Sequence, residues 1–100
     1  MSVATVSRKY ESTYILDPNL PEETLTGLVE KFAALVTTEG GEPPEVKHLG
    51  RRRMTFEIKG KYEGFYITMR YEATTAAAAE LRRQLGLCDE VLRSLLLNLE

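Results

Sequence analysis

Apolar residues along this chain alternate between two spacings: every second position, which suits a strand lying in a sheet, and the three-and-four spacing of an amphipathic helix. The order of these periods limits the fold more than any other property of the sequence. Arg8 to Leu16 alternates, with Tyr10, Ser12, Tyr14 and Leu16 on one side and Lys9, Glu11, Thr13 and Ile15 on the other. The β-branched and aromatic types in it favour a pleated surface. Leu25, Leu28, Val29, Phe32, Leu35 and Val36 then share one helical face, leaving Glu22, Glu23, Glu30 and Lys31 outside. Asp17-Pro18-Asn19 is turn chemistry, Asn19 followed by Glu22 three places later fits a capping box, and Gly40-Gly41 fits the helix stop.

After Pro43-Pro44 the segment Val46 to Ile58 reads as one long strand, with Gly50 as the expected site of a bulge that re-aims the arginines behind it. A polar turn over Gly60 to Gly64 returns the chain, and Phe65, Ile67, Met69 and Tyr71 alternate with Tyr66, Thr68, Arg70 and Glu72, the apolar set facing the core. Thr74 or Thr75 caps a second helix over the alanines that follow, and Gly86 marks its expected end. Val91 to Leu99 is too short and too leucine-rich for periodicity to assign, and the element order asks for a strand there. Strand, helix, strand, strand, helix, strand predicts an α+β ferredoxin-like sandwich, a four-stranded antiparallel sheet with both helices on one face and the other face open. That fold hosts enzymes, regulatory ligand sites and RNA binders, so it names no function by itself.

A chain of 100 residues with 43% hydrophobic composition is the size of one domain with its own core. The expected division is a flexible N-terminal extension over residues 1–7 and a single domain over residues 8–100. One cysteine, Cys88, and one histidine, His48, close no disulfide and build no cysteine-histidine zinc site, which fits a reducing, cytosolic compartment. No basic leader precedes an apolar run and no stretch approaches the roughly 18 apolar residues of a membrane span, so neither secretion nor a membrane partner is expected. The net charge of −2 argues against a generally basic nucleic-acid binder. Its distribution matters more: Lys47, Arg51, Arg52, Arg53, Lys59 and Lys61 face only Glu45 and Glu57 between positions 45 and 61.

No residue set reads as an active site. His48 lacks a nearby nucleophile and orienting carboxylate, Cys88 has no Cys-x-x-Cys partner, Glu22-Glu23 and Asp89-Glu90 suit helix and turn surfaces, and the glycines form no phosphate loop. No cofactor or metal is expected. Arg51-Arg52-Arg53 has chemical direction, because guanidinium forks pair with phosphate oxygens. Equally, charges on an edge strand protect it from pairing with other chains, and the second strand lies at an edge in this topology. Tyr66, Lys9, Thr13 and Arg70 fall on the open face, where Tyr66 reads as a solvent-facing tyrosine rather than a base-stacking platform.

Arg8-Lys9-Tyr10-Glu11, then Asp17-Pro18-Asn19-Leu20, then Leu49-Gly50-Arg51-Arg52-Arg53-Met54-Thr55-Phe56-Glu57-Ile58, and finally Gly64-Phe65-Tyr66 form an ordered series that resembles the bacterial family of small-subunit ribosomal protein six. The resemblance spans Arg8 to about Asn98. It implies a non-enzymatic, cytoplasmic protein of the ribosome that binds the central domain of small-subunit ribosomal RNA together with small-subunit ribosomal protein eighteen, with no DNA partner. Carried over by position, it implies RNA contacts from Arg8, Arg52, Arg53 and Arg93, with Lys59 and Lys61 added from the local basic excess, while Tyr10 falls with the core set. The chain departs from the family at Arg51, where an apolar or neutral residue is usual, and at Thr55, Phe56 and Glu57, which replace Ala-Tyr-Pro. Two rivals share the element order: an acylphosphatase-like hydrolase, whose phosphate cradle needs an arginine that Asp17-Pro18-Asn19-Leu20 lacks, and a regulatory or dimerisation module that holds a small ligand.

Overall fold

The computed structural model describes residues 7–99, so most of the expected extension, residues 1–6, lies outside the described residues. Ser7 is already the first residue of the first strand. The elements follow the expected order: β1 (Ser7–Leu16), α1 (Glu22–Thr38), β2 (Glu45–Ile58), β3 (Lys61–Thr74), α2 (Thr75–Leu87) and β4 (Val91–Asn98). All pairings are antiparallel and the sheet runs β2-β3-β1-β4, which leaves β2 and β4 as edges.

One face of the sheet carries the main core. Tyr10, Tyr14 and Leu16 from β1 and Ile67, Met69, Tyr71 and Ala73 from β3 meet Val29, Phe32 and Val36 from α1 and Ala77, Ala78, Leu81 and Leu85 from α2. The four α2 residues are alanines and leucines at three-and-four spacing, so that helix lies close to the sheet. Tyr10 is buried and packs its ring against Tyr71 with centroids 6.0 Å apart, a core role and not a contact role. Ser12, the one polar residue in this inward set of β1, is 2% exposed and shares a 2.7 Å hydrogen bond with the Tyr71 hydroxyl.

The helix ends differ in part from expectation. Pro21 is the N-cap of α1 and no side chain caps it, so Asn19 and Glu22 form no capping box. Instead the Asp17 carboxylate accepts the Asn19 amide at 2.9 Å, an Asx turn that consumes the polar chemistry one step earlier in the chain. A proline at this boundary needs no amide partner of its own, and Glu22 and Glu23 place negative charge at the helix N-terminus. The far end closes as expected: Gly40 takes φ 92°, and the amides of Gly40 and Gly41 return to the carbonyls of Thr37 and Val36. Gly86, by contrast, lies inside α2, whose C-cap is Cys88. Thr74 caps α2 through its hydroxyl, which accepts the Ala77 amide at 3.1 Å. Thr74→Ala is expected to lower stability by about 1 kcal/mol, read as a shift of the urea midpoint with unchanged slope.

The β2–β3 turn is tighter than Gly60 to Gly64. It consists of Lys59 and Gly60, and Gly64 is a strand residue of β3. The expected bulge is present. Pairing shifts between His48 and Gly50, where Gly50 has φ 85°. Its consequence is a change of face. Val46 and His48 lie opposite Met69 and Ile67, on the helix side, whereas after the bulge Arg51 lies opposite Phe65 and Arg52 opposite Gly64. Arg51 therefore belongs to the helix side, and Arg52 and Met54 to the open face.

Candidate nucleic-acid interface

The bulge and a second register shift create a small apolar cluster on the open face. Ile15 of β1, Met54 of β2 and Leu92 of β4 are buried together, with Ile58 and Tyr66 packed partly against them. Leu92 sits where β4 slips relative to β1 between Ile15 and Leu16. Tyr66 is thus half-buried against this cluster, not simply solvent-facing as the strand alternation suggested.

Around that cluster the structure brings two of the candidate arginines together. Arg53 from β2 and Arg93 from β4 line one hollow of about 200 Å³, with Tyr66 and Ile58 also on its wall. Both arginines are exposed. Arg52 precedes Arg53 on the strand and is also exposed, its Nε lying 3.5 Å from the Leu49 carbonyl. Arg53 and Arg93 are distant in sequence and stand on the two edge strands, with β3 and β1 between them, yet both line this hollow.

The remaining candidates are arranged otherwise. Lys59, at φ 51° in the tight turn, donates to the Val91 carbonyl at 3.3 Å, and Lys61 lies 3.7 Å from the Asp17 carboxylate. Arg51 donates to the Pro18 carbonyl at 2.8 Å and pairs with Glu63 at 3.4 Å. These three cations fasten the β2–β3 hairpin to the β1–α1 turn and to the start of β4, so part of the basic run serves the fold. Arg8 is exposed but stands on the helix-side alternation with Tyr10, about 23 Å along β1 from Ile15 at the usual rise per strand residue. It does not join the Arg53–Arg93 hollow. Sequence reasoning placed Tyr66 on the open face but missed Met54 beside it, because a bulge changes the face of every later residue on its strand and its effect shows only in the pairing register.

The groups weighed for chemistry outside this patch are engaged in local hydrogen bonds. Asp17, in the loop where an acylphosphatase-like enzyme would cradle phosphate, holds a carboxylate against the Asn19 amide. The Cys88 thiol donates to Glu90 at 3.2 Å, and burial together with that acidic neighbour pushes its pKa up, away from a reactive thiolate. Among the described residues no group of three metal-ligating side chains gathers, and no helix is long and apolar enough to cross a membrane.

Fold and surface together define a small α+β protein in which sheet and helices position charged side chains and, among the described residues, no catalytic constellation is assembled. Residues 9–98 match the family model described as ribosomal protein S6, and the chain belongs to that family. It is 39% identical over 93 residues to the small ribosomal subunit protein bS6 of Moorella thermoacetica, covering 93% of this chain and 95% of that protein. It is 43% identical over 92 residues to the bS6 of Bifidobacterium longum, covering 92% and 95%. The crystal structure of 30S ribosomal protein S6 from Thermotoga maritima superposes with a TM-score of 0.87 at 29% identity, covering 93% of this chain and 88% of that one. The family is one of structural, non-enzymatic proteins of the small ribosomal subunit.

Proposed function

We propose that this protein is a structural constituent of the small ribosomal subunit whose residues 8–100 act as one RNA-binding unit. It binds the central domain of small-subunit ribosomal RNA beside small-subunit ribosomal protein eighteen. The observation that carries the RNA contact is the convergence of Arg53 and Arg93 on one hollow, with Arg52 alongside. Two arginines from different strands, lining one hollow beside a packed apolar cluster, offer guanidinium donors to phosphate oxygens. The chain's net charge of −2 makes long-range attraction weak, so binding depends on this local patch meeting a shaped RNA surface. Arg8 serves as a second, separate contact, and Lys59 and Lys61 add local positive potential while their ammonium groups hold the hairpin.

The test is a salt titration of binding to a central-domain fragment of small-subunit RNA, with and without protein eighteen. Support is a linear fall of log affinity with log salt and a tighter complex when the partner is present. Salt-independent binding, or equal affinity for an unrelated duplex of the same length, refutes the reading.

A further inference from the structure

β4 is an edge strand, but it is not guarded as β2 is. Between Arg93 and Asn98 it carries Ser94, Leu95, Leu96 and Leu97, with no charge. Leu95 and Leu97 lie opposite Thr13 and Glu11, which puts them on the open face, where they are 57% and 44% exposed. Leu96 points to the helix side, where it packs partly against the main core.

The backbone of β4 has a defined direction. The Leu99 amide donates to the Lys9 carbonyl at 2.9 Å. Because successive residues of a strand turn their amide and carbonyl to opposite edges, Leu97 and Leu95 turn theirs toward β1, while Leu96 and Ser94 turn theirs to the outer edge. Beside that edge runs a groove of about 480 Å³ between α2 and β4, floored by Tyr10, Ala78, Ala79, Gly86 and Leu96. The small residues of α2 keep the groove open.

Two arginines stand on its wall. Arg83 is held by Glu80 through two 2.8 Å hydrogen bonds. Those bonds, with a third from Gln84, keep the Glu80 pKa down at about 2, so that pair is intact at neutral pH. Arg82 is exposed and makes no ion pair among the described residues.

We propose that the outer edge of β4 and the α2–β4 groove form a strand-addition site for an extended peptide segment that is apolar at alternating positions and carries a carboxylate facing Arg82. A residue hydrogen-bonded to Leu96 from the outer edge places its side chain on the same face as Leu96, beside the groove floor. Its two neighbours fall on the open face beside Leu95 and Leu97. In an antiparallel addition the next groove-side residue opposite Ser94 lies toward the part of α2 that carries Arg82, since Thr75 at the start of α2 meets Tyr10 beside Asn98, and Arg82 supplies the charge complementarity. β2 offers no equivalent site for a second copy of this chain, because Arg51, Arg52 and Arg53 would face one another across a β2–β2 pairing.

The test uses the full chain, labelled with ¹⁵N, and the blocked peptide acetyl-Ser-Thr-Val-Leu-Glu-Leu-Ser-amide, whose valine and glutamate fall opposite Leu96 and Ser94 in an antiparallel addition, together with a counterpart in which lysine replaces the glutamate. Saturating glutamate peptide is expected to slow amide hydrogen exchange at Ser94 and Leu96 by about tenfold or more, since both amides gain a strand partner. Arg82→Glu is expected to weaken the glutamate peptide by about tenfold and to reverse the preference in favour of the lysine peptide. An unchanged thermal midpoint for this exposed substitution separates lost binding from lost fold. Protection confined to β2 or the open face, or the same affinity for both peptides in both proteins, overturns the proposal. So does protection of Ser94 and Leu96 that appears when the protein alone is concentrated, because the occupant is then a second copy.

Discussion

Replacing Arg52 and Arg53 together by alanine is expected to weaken binding to the central-domain RNA fragment roughly ten- to hundredfold at about 0.1 M salt, and to flatten the log–log salt slope by about one to two. The slope change follows from losing one or two phosphate contacts, each of which releases somewhat less than one counterion. Both side chains are exposed, and neither bridges two elements: the 3.5 Å approach of Arg52 Nε to the Leu49 carbonyl is local. The double substitution therefore leaves the thermal midpoint within a few degrees of the parent. Arg51→Ala should behave in the opposite way. Its guanidinium holds the Pro18 carbonyl at 2.8 Å, so its loss loosens the hairpin and lowers stability by about 1 kcal/mol while leaving the salt slope unchanged. Arg53→Ala combined with Arg93→Ala supplies a further check, because two guanidiniums that share one phosphate give a non-additive loss in a double-mutant cycle. A double Arg52 and Arg53 variant with the parent's affinity and slope would leave these residues as edge protection alone.

The arginine triplet shows where the sequence is legible and where it is not. The element order, the inward sets of β1 and β3, the buried stripe of α1 and the bulge at Gly50 all follow from periodicity and turn chemistry, which are local properties. β4 follows only from the order of the other elements, since its own leucines fit either period. The Asn19–Glu22 capping box failed because Asp17 competes for the Asn19 amide and forms the turn first. Gly86 failed as a helix stop because a glycine is tolerated inside a helix whose alanine and leucine face is already anchored in the core. The site is less legible than the fold. Three adjacent arginines look alike in sequence, yet Arg51 is tied to Pro18 and Glu63 while Arg53 lines a hollow shared with Arg93 of the other edge strand. That division depends on one inserted residue in β2 and on the tertiary placement of the strands, neither of which local spacing records.

Phe32→Ala is expected to be the most damaging single change to the fold, costing about 3–5 kcal/mol, against a typical total stability of about 5–15 kcal/mol. Phe32 is fully buried at 0% exposure, and its ring meets Tyr14 edge-on with centroids 5.4 Å apart at 69°. It is the largest apolar side chain by which α1 grips the sheet, and alanine leaves a cavity that its neighbours are poorly placed to fill. Tyr14 and Leu16 are fixed by their strand register, and Met69 and Ile67 are themselves fully buried. The cost combines the lost transfer of the ring from water, the cavity, and the lost edge-to-face contact. A urea titration should show the midpoint falling by a large fraction with a similar slope, and a loss below about 1 kcal/mol would mean that α1 repacks freely over the sheet. The RNA salt slope, measured where the variant remains folded, should equal the parent's, because the hollow that Arg53 and Arg93 line is walled by Ile15, Met54 and Tyr66 and includes no residue of the helix layer. A change in that slope would mean instead that the helix layer sets the spacing of the arginines through the sheet.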